Sequence, residues 1–131
     1  MSCIARFAPD GPLTSNNDWE LTFHLVRISE DAEGEEVETD IDITDADVTA
    51  VIRQGTDANR GDVVLEEKEL DHVDDETGYA MLEVSHVENG PTSDIPAGWK
   101  GQHVTDIKIE FSDGKIETCG PLEFDVRRPI T

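Results

Sequence analysis

The chain has 131 residues, 36% of them apolar and only 5% aromatic, which suits one domain with one core and leaves little room for a second. Thirty-one acidic residues against ten basic ones give a formal net charge of −21. A field of that sign repels phosphate backbones and anionic bilayers, which argues against nucleic acid and membrane as partners, and no run approaches the ~20 apolar residues that cross a bilayer.

Dense acid is also the surface of proteins that stay soluble at high concentration or work in brine, so a marine or halophilic origin is one expectation. A strongly basic partner is another. The start, "MSCIARFAPDG", has no basic region followed by a long apolar run, so no signal peptide is read there. Two cysteines, Cys3 and Cys119, are too few for a disulfide framework. A single bridge between a terminal strand and a late strand stays open, but free thiols in a reducing cytoplasm are the preferred reading.

In chain order, residues 1–17 form an N-terminal arm and loop, with Ile4 and Phe7 as its apolar pieces before the turn residues "APDGPLTSNN". "DWELTFHLVRI" alternates Trp19, Leu21, Phe23 and Leu25 with Glu20, Thr22, His24 and Val26, a half-buried strand with His24 solvated on its outer face. A charged loop around Gly34 follows. "ITDADVTAVIRQG" then places Val48, Ala50 and Ile52 on one face. "TDANRGD" is a turn and "VVLEEKEL" a short strand; "DDETG" breaks the chain before "YAMLEVSHV". "ENGPTSDIPAGWKGQ" has no period and allows one helical turn near "TSDIPAG".

The last hairpin is the clearest local signal. In "VTDIKIEFSDGKIET", Ile107, Ile109 and Phe111 share a face. After Ser112-Asp113-Gly114, Ile116 and Thr118 share one face and Lys115 and Glu117 the other. Leu122, Phe124 and Val126 form the final strand, and 127–131 is a tail. Short strands at this spacing predict an all-β antiparallel sandwich over 18–126, with about seven or eight strands. Its expected core includes Trp19, Leu21, Phe23, Ala50, Ile52, Leu82, Val84, Ile107, Ile109, Leu122 and Phe124.

Chemistry is hard to find. Asp40, Asp42, Asp45 and Asp47 lack the turn glycine and the terminal glutamate of a helix–loop–helix calcium loop, and "DHVDDE" is a similar chance cluster in so acidic a chain. The four histidines show no zinc-binding spacing, and there is neither a nucleophile elbow nor a phosphate-cradling loop. The Arg-Gly-Asp within Asn59 to Asp62 reads as a turn. No catalytic, cofactor-binding or metal-binding residue is assigned, so no enzyme and no cofactor are expected. Trp99, beside Lys100 in an aperiodic loop, has two readings: a lid on the end of the sandwich, which is preferred, or an anchor for a neighbouring subunit.

The order of landmarks resembles a known family. "DWELTFHLVRI", "DITDADVTAVIRQG", "ETGYAMLEVS", "DIPAGWKGQHVTDIKIEFSDGKIET" and "GPLEFDV" follow the progression of the immunoglobulin-like β-sandwich of tailed-phage virion proteins. The likeness is to the N-terminal domain of upper baseplate proteins and related adaptors. Thr44 to Ala50 sit where that family has "DLTGATVTA"-like residues. Thr77-Gly78 match its "TG" turn, Ile95 to Gly98 its "LPAG" lead-in, and Thr105 to Ile109 with Asp113-Gly114 its last hairpin.

The resemblance implies an immunoglobulin-like sandwich without catalytic residues. It further implies a structural protein of the virion, made in the host cytoplasm and placed in tail, baseplate, neck or capsid decoration. Its partners would be other virion proteins in a symmetric multi-copy assembly, with no nucleic acid and no membrane. The expected interface residues are Ile4 and Phe7, too apolar to leave in water; Arg127 and Arg128, a clustered positive charge; and Trp99. A carbohydrate- or cation-binding sandwich, with Trp99 as stacking platform, is the alternative.

Overall fold

The computed structural model describes residues 2–7, 13–55, 61–93 and 95–129. Among these described residues, ten strands run in the order β1 (Ser2–Arg6), β2 (Leu13–Thr14), β3 (Trp19–Glu30), β4 (Glu36–Asp40), β5 (Asp47–Gln54), β6 (Val63–Glu69), β7 (Asp71–Asp74), β8 (Tyr79–Val84), β9 (Gly101–Glu110) and β10 (Ile116–Arg127). One four-residue helix, α1 (His86–Asn89), lies between β8 and β9.

The strands form two sheets. The first has the order β1-β3-β8-β7, with β4 on the far half of β3; the second has the order β2-β10-β9-β5-β6. Naming β1, β3, β5, β6, β7, β8, β9 and β10 as A, B, C, C′, D, E, F and G gives sheets A-B-E-D and G-F-C-C′, the immunoglobulin arrangement. Those eight make the predicted frame. The other two are short additions: β2, parallel to G at the Val126–Leu13 register, and β4, which folds back on β3 through the Asp31–Glu35 turn.

Alternation positions the core. On β3, Trp19, Leu21, Phe23 and Leu25 turn inward and face Val48, Ala50 and Ile52 of β5 with Ile107 and Ile109 of β9. Every residue of the expected core is buried except Leu122, which is half-buried against it. Ile41 and Ile43, between β4 and β5, are completely buried as well. The chain changes sheets at Leu70, the single residue between β6 and β7; its side chain is buried and its amide donates to Val48 O at 2.8 Å.

Gly78 is the glycine this fold most needs. It sits at φ 81°, and a Cβ there would lie 2.5 Å from Ile41 O and 2.8 Å from Leu25 O. No other residue fits that gap.

Two expectations are corrected. Cys3 and Cys119 are disulfide-bonded, with Cα atoms 4.7 Å apart. β1 pairs with β3 in one sheet while β10 lies in the other, and the cysteines face each other across the gap. The helical turn is not at "TSDIPAG" but at His86–Asn89, where Ser85 and Glu88 form a reciprocal capping box.

The hairpin also fixes a phase that alternation left open. Ile109 pairs with Glu117 and Ile107 with Cys119, so Glu117 and Cys119 point inward and Ile116 points out, 60% exposed. Glu117 is accommodated because it sits at the open end of the sandwich. There it accepts hydrogen bonds from Arg27 of the opposite sheet, the shortest 3.0 Å, and the guanidinium lies 5.7 Å from the Phe111 ring.

Candidate interaction surfaces

The end of the sandwich where β3 begins and β10 finishes is built from aromatic rings. Trp19 stands edge-on to Trp99 at 5.7 Å and to Phe124 at 6.4 Å, and its indole N–H donates to Thr14 O at 2.8 Å. His103 is stacked between Trp99 (5.3 Å) and Phe124 (5.7 Å). Its Nδ1 lies 2.9 Å from Gly101 O, so that nitrogen carries the proton and donates. Its Nε2 is buried without a partner among the described residues. Burial pushes the imidazole below its ordinary value, with the Gly101 bond and the Asp125 charge opposing, so the ring is neutral.

Trp99 is held in place by Asn89, a residue sequence reasoning missed. Asn89 is buried with both ends of its amide bonded. Its Nδ2 donates to Asn17 O at 2.8 Å, and its Oδ1 accepts from Asn16 N at 2.7 Å. Its backbone carbonyl accepts from Trp99 N at 3.0 Å. The signal was the capping box at Ser85 and Glu88, which starts α1 and delivers Asn89 to this spot. Trp99 is only 1% exposed, so it is the lid, and the anchor reading is corrected: its whole ring packs inside its own chain.

The other expected interface residues separate into two groups. Phe7 packs on Phe23 at 5.2 Å and Ile4 is half-buried opposite Val26, so the arm is strand A of the sandwich, pinned by the disulfide. An ion pair between Arg6 and Glu38 runs diagonally across β3 and helps bury Val26 on the outer face. Arg127 and Arg128 remain exposed and loosely tethered, to Thr14 Oγ1 at 3.4 Å and Gly98 O at 3.3 Å. The structure brings both arginines to the aromatic end and leaves Ile4 on the outer face of the other sheet.

Several carboxylates of the acidic clusters are engaged in local hydrogen bonds. Asp42 accepts from Thr44 N and Oγ1, which hold its carboxyl below the usual range. His72 contacts Asp75 at 2.6 Å and His86 contacts Asp18 at 2.8 Å. His24 is not freely solvated: it stacks on Tyr79 at 4.3 Å and contacts Asp40 at 2.9 Å. Among the described residues, no group of three or more His, Cys, Asp or Glu is placed to hold a metal ion. Asn59 and Arg60 of the Arg-Gly-Asp turn lie outside the described residues; Gly61 O accepts from Arg53 at 3.1 Å. No helix among the described residues is long and apolar enough to cross a membrane.

No family model and no curated protein matches the chain. Among solved structures, the chain is similar to CopC from Methylosinus trichosporium OB3b, at 13% identity over 97% of both chains with a TM-score of 0.42. It is also similar to murine CRIg, at 9% identity over 99% of this chain and 100% of that one, with a TM-score of 0.45. At these values neither likeness bears on function, and the immunoglobulin assignment stands on the strand order itself.

Proposed function

We propose that this chain is a non-enzymatic structural subunit of a tailed virus particle, working in multiple symmetric copies against other virion proteins. The observation that carries the reading is the order of landmarks that resembles the phage sandwich family, three of which lie at strand boundaries. "DITDADVTA" leads into β5, Thr77-Gly78 turn into β8, and Ile95 to Gly98 precede β9. The disulfide favours a final location in an oxidising medium such as a particle surface, reached after synthesis in the host cytoplasm.

The mechanism differs from strand donation by a free arm, because β1 is already paired and cross-linked. Docking falls instead to outer sheet faces and to the exposed Arg127 and Arg128, which can pair with a neighbour's carboxylates. A carbohydrate platform at Trp99 is removed by its burial. The test is quantitative mass spectrometry of purified particles. A fixed whole-number stoichiometry supports the reading, with reduced incorporation of an Arg127→Glu, Arg128→Glu double variant. Absence from particles of a virus that encodes the chain overturns it.

A further inference from the structure

Asn89 is followed by Gly90, and the fold needs both residues where they stand. Asn89 donates to one backbone carbonyl and accepts from one backbone amide, as a carboxamide can: Nδ2 to Asn17 O at 2.8 Å, and Asn16 N to Oδ1 at 2.7 Å. Gly90 is required for space. A Cβ there would lie 2.4 Å from His86 O and 3.1 Å from Asn16 Oδ1, whereas its φ of −85° is open to other residues.

That pair is chemically labile. Of the four asparagines, only Asn89 precedes a glycine. The amide nitrogen of the following residue can attack the asparagine Cγ, and glycine places no side chain in its way. The bond from Gly90 N to Cγ forms, the Cγ–Nδ2 bond breaks, and ammonia leaves with the proton from the Gly90 amide. Water then opens the cyclic imide at either carbonyl, leaving aspartate or isoaspartate at position 89. No oxidant or reductant takes part.

The closed fold holds this reaction off. Asn89 is completely buried and ends α1, where its own amide donates to Ser85 O at 3.1 Å. Ring closure has to swing Cγ onto the Gly90 nitrogen, and the two side-chain hydrogen bonds oppose that movement.

We propose that Asn89–Gly90 is a self-modification site, armed when the aromatic end opens, and that the modification makes the opening permanent. Once α1 and the Trp99 loop part, Asn89 reacts as it does in the unfolded chain. Neither product fits the closed site. An oxygen replaces Nδ2 opposite Asn17 O, setting acceptor against acceptor and a charge in a fully buried position. The isoaspartyl form also adds a methylene to the main chain and displaces the carbonyl that Trp99 N reaches at 3.0 Å. The working life of the chain is then a rate, the opened population multiplied by the intrinsic rate of the pair. This holds whether or not the particle reading does.

The experiment incubates the full chain at mildly alkaline pH, folded and in guanidinium chloride. Position 89 is followed by peptide mass spectrometry and isoaspartate-specific methylation. The folded rate is lower than the unfolded rate by about 100-fold or more, the factor set by the opened population. Ser85→Ala removes the N-cap of α1, so it raises the folded rate several-fold and leaves the unfolded rate unchanged. Chain modified in denaturant and returned to buffer shows faster hydrogen exchange at the Trp99 amide than unmodified chain treated alike. A folded rate close to the unfolded one, a Ser85→Ala variant with an unchanged folded rate, or full Trp99 protection in the modified chain overturns the proposal.

Discussion

Replacing Cys3 and Cys119 together by alanine removes a cross-link between residues 116 apart in sequence. In the chain-entropy account, closing a loop of that length in the unfolded state is worth about 4.8 kcal/mol at 25 °C, and native bridges in small domains measure ~2–5. The bridge also joins the two sheets at one edge, where β1 is only five residues long and is hydrogen-bonded to β3 alone. Most of the predicted loss therefore comes from the unfolded ensemble, and a smaller part from fraying of β1. Equilibrium urea unfolding reads both. With an m-value of about 1.5–2 kcal/mol/M, the midpoint falls by roughly 2 M, and m rises because the unlinked chain exposes more surface. Hydrogen exchange at 2–6 speeds up before that of β9. Thiol titration of the unfolded, unreduced protein finds no free thiol. Two free thiols in that titration, or a midpoint shift under about 0.3 M, would refute the clasp and the energetics drawn from it.

Three more outcomes are expected. His103 is neutral in the fold with its pKa below the ordinary 6.5, so the unfolded state binds its proton more readily; stability is full above about pH 6.5 and falls as pH drops from there toward the folded value. A His103→Phe variant that keeps the whole slope in pH-dependent thermal melts would contradict this. Gly78→Ala meets two backbone carbonyls at positive φ and costs about 2 kcal/mol or more, checked by urea titration; a loss under ~0.5 would mean the turn relaxes freely. The melting temperature rises with NaCl toward 1 M as screening relieves the self-repulsion of net charge −21, and a flat or falling response removes salt adaptation as the reason for the acid.

Alternation is a local property, and it was enough to determine the all-β class and nearly all of the core. Trp19, Leu21 and Phe23 turn inward on β3, and Ile107 and Ile109 on β9, because neighbouring side chains on a strand point to opposite faces whatever the strand pairs with. The capping box at Ser85 and Glu88 was equally local and equally readable, though the helix was expected elsewhere.

What no local pattern holds was decided by pairing. Cys3 and Cys119 carry no spacing signal; they meet because strands A and G lie at the same edge of the two sheets. Trp99 lies in a loop without a period, so its burial depended on Asn89 drawing that loop over the aromatic end. Glu117, and not Ile116, faces inward because the turn sets the register, and Arg27 from the other sheet makes that placement tolerable. Asp47 and Arg53 on β5, with Lys108 and Asp106 on β9, lie more than fifty positions apart in the chain. They become neighbours on one outer face only when β5 and β9 are hydrogen-bonded side by side, since a surface exists only after the strands have paired.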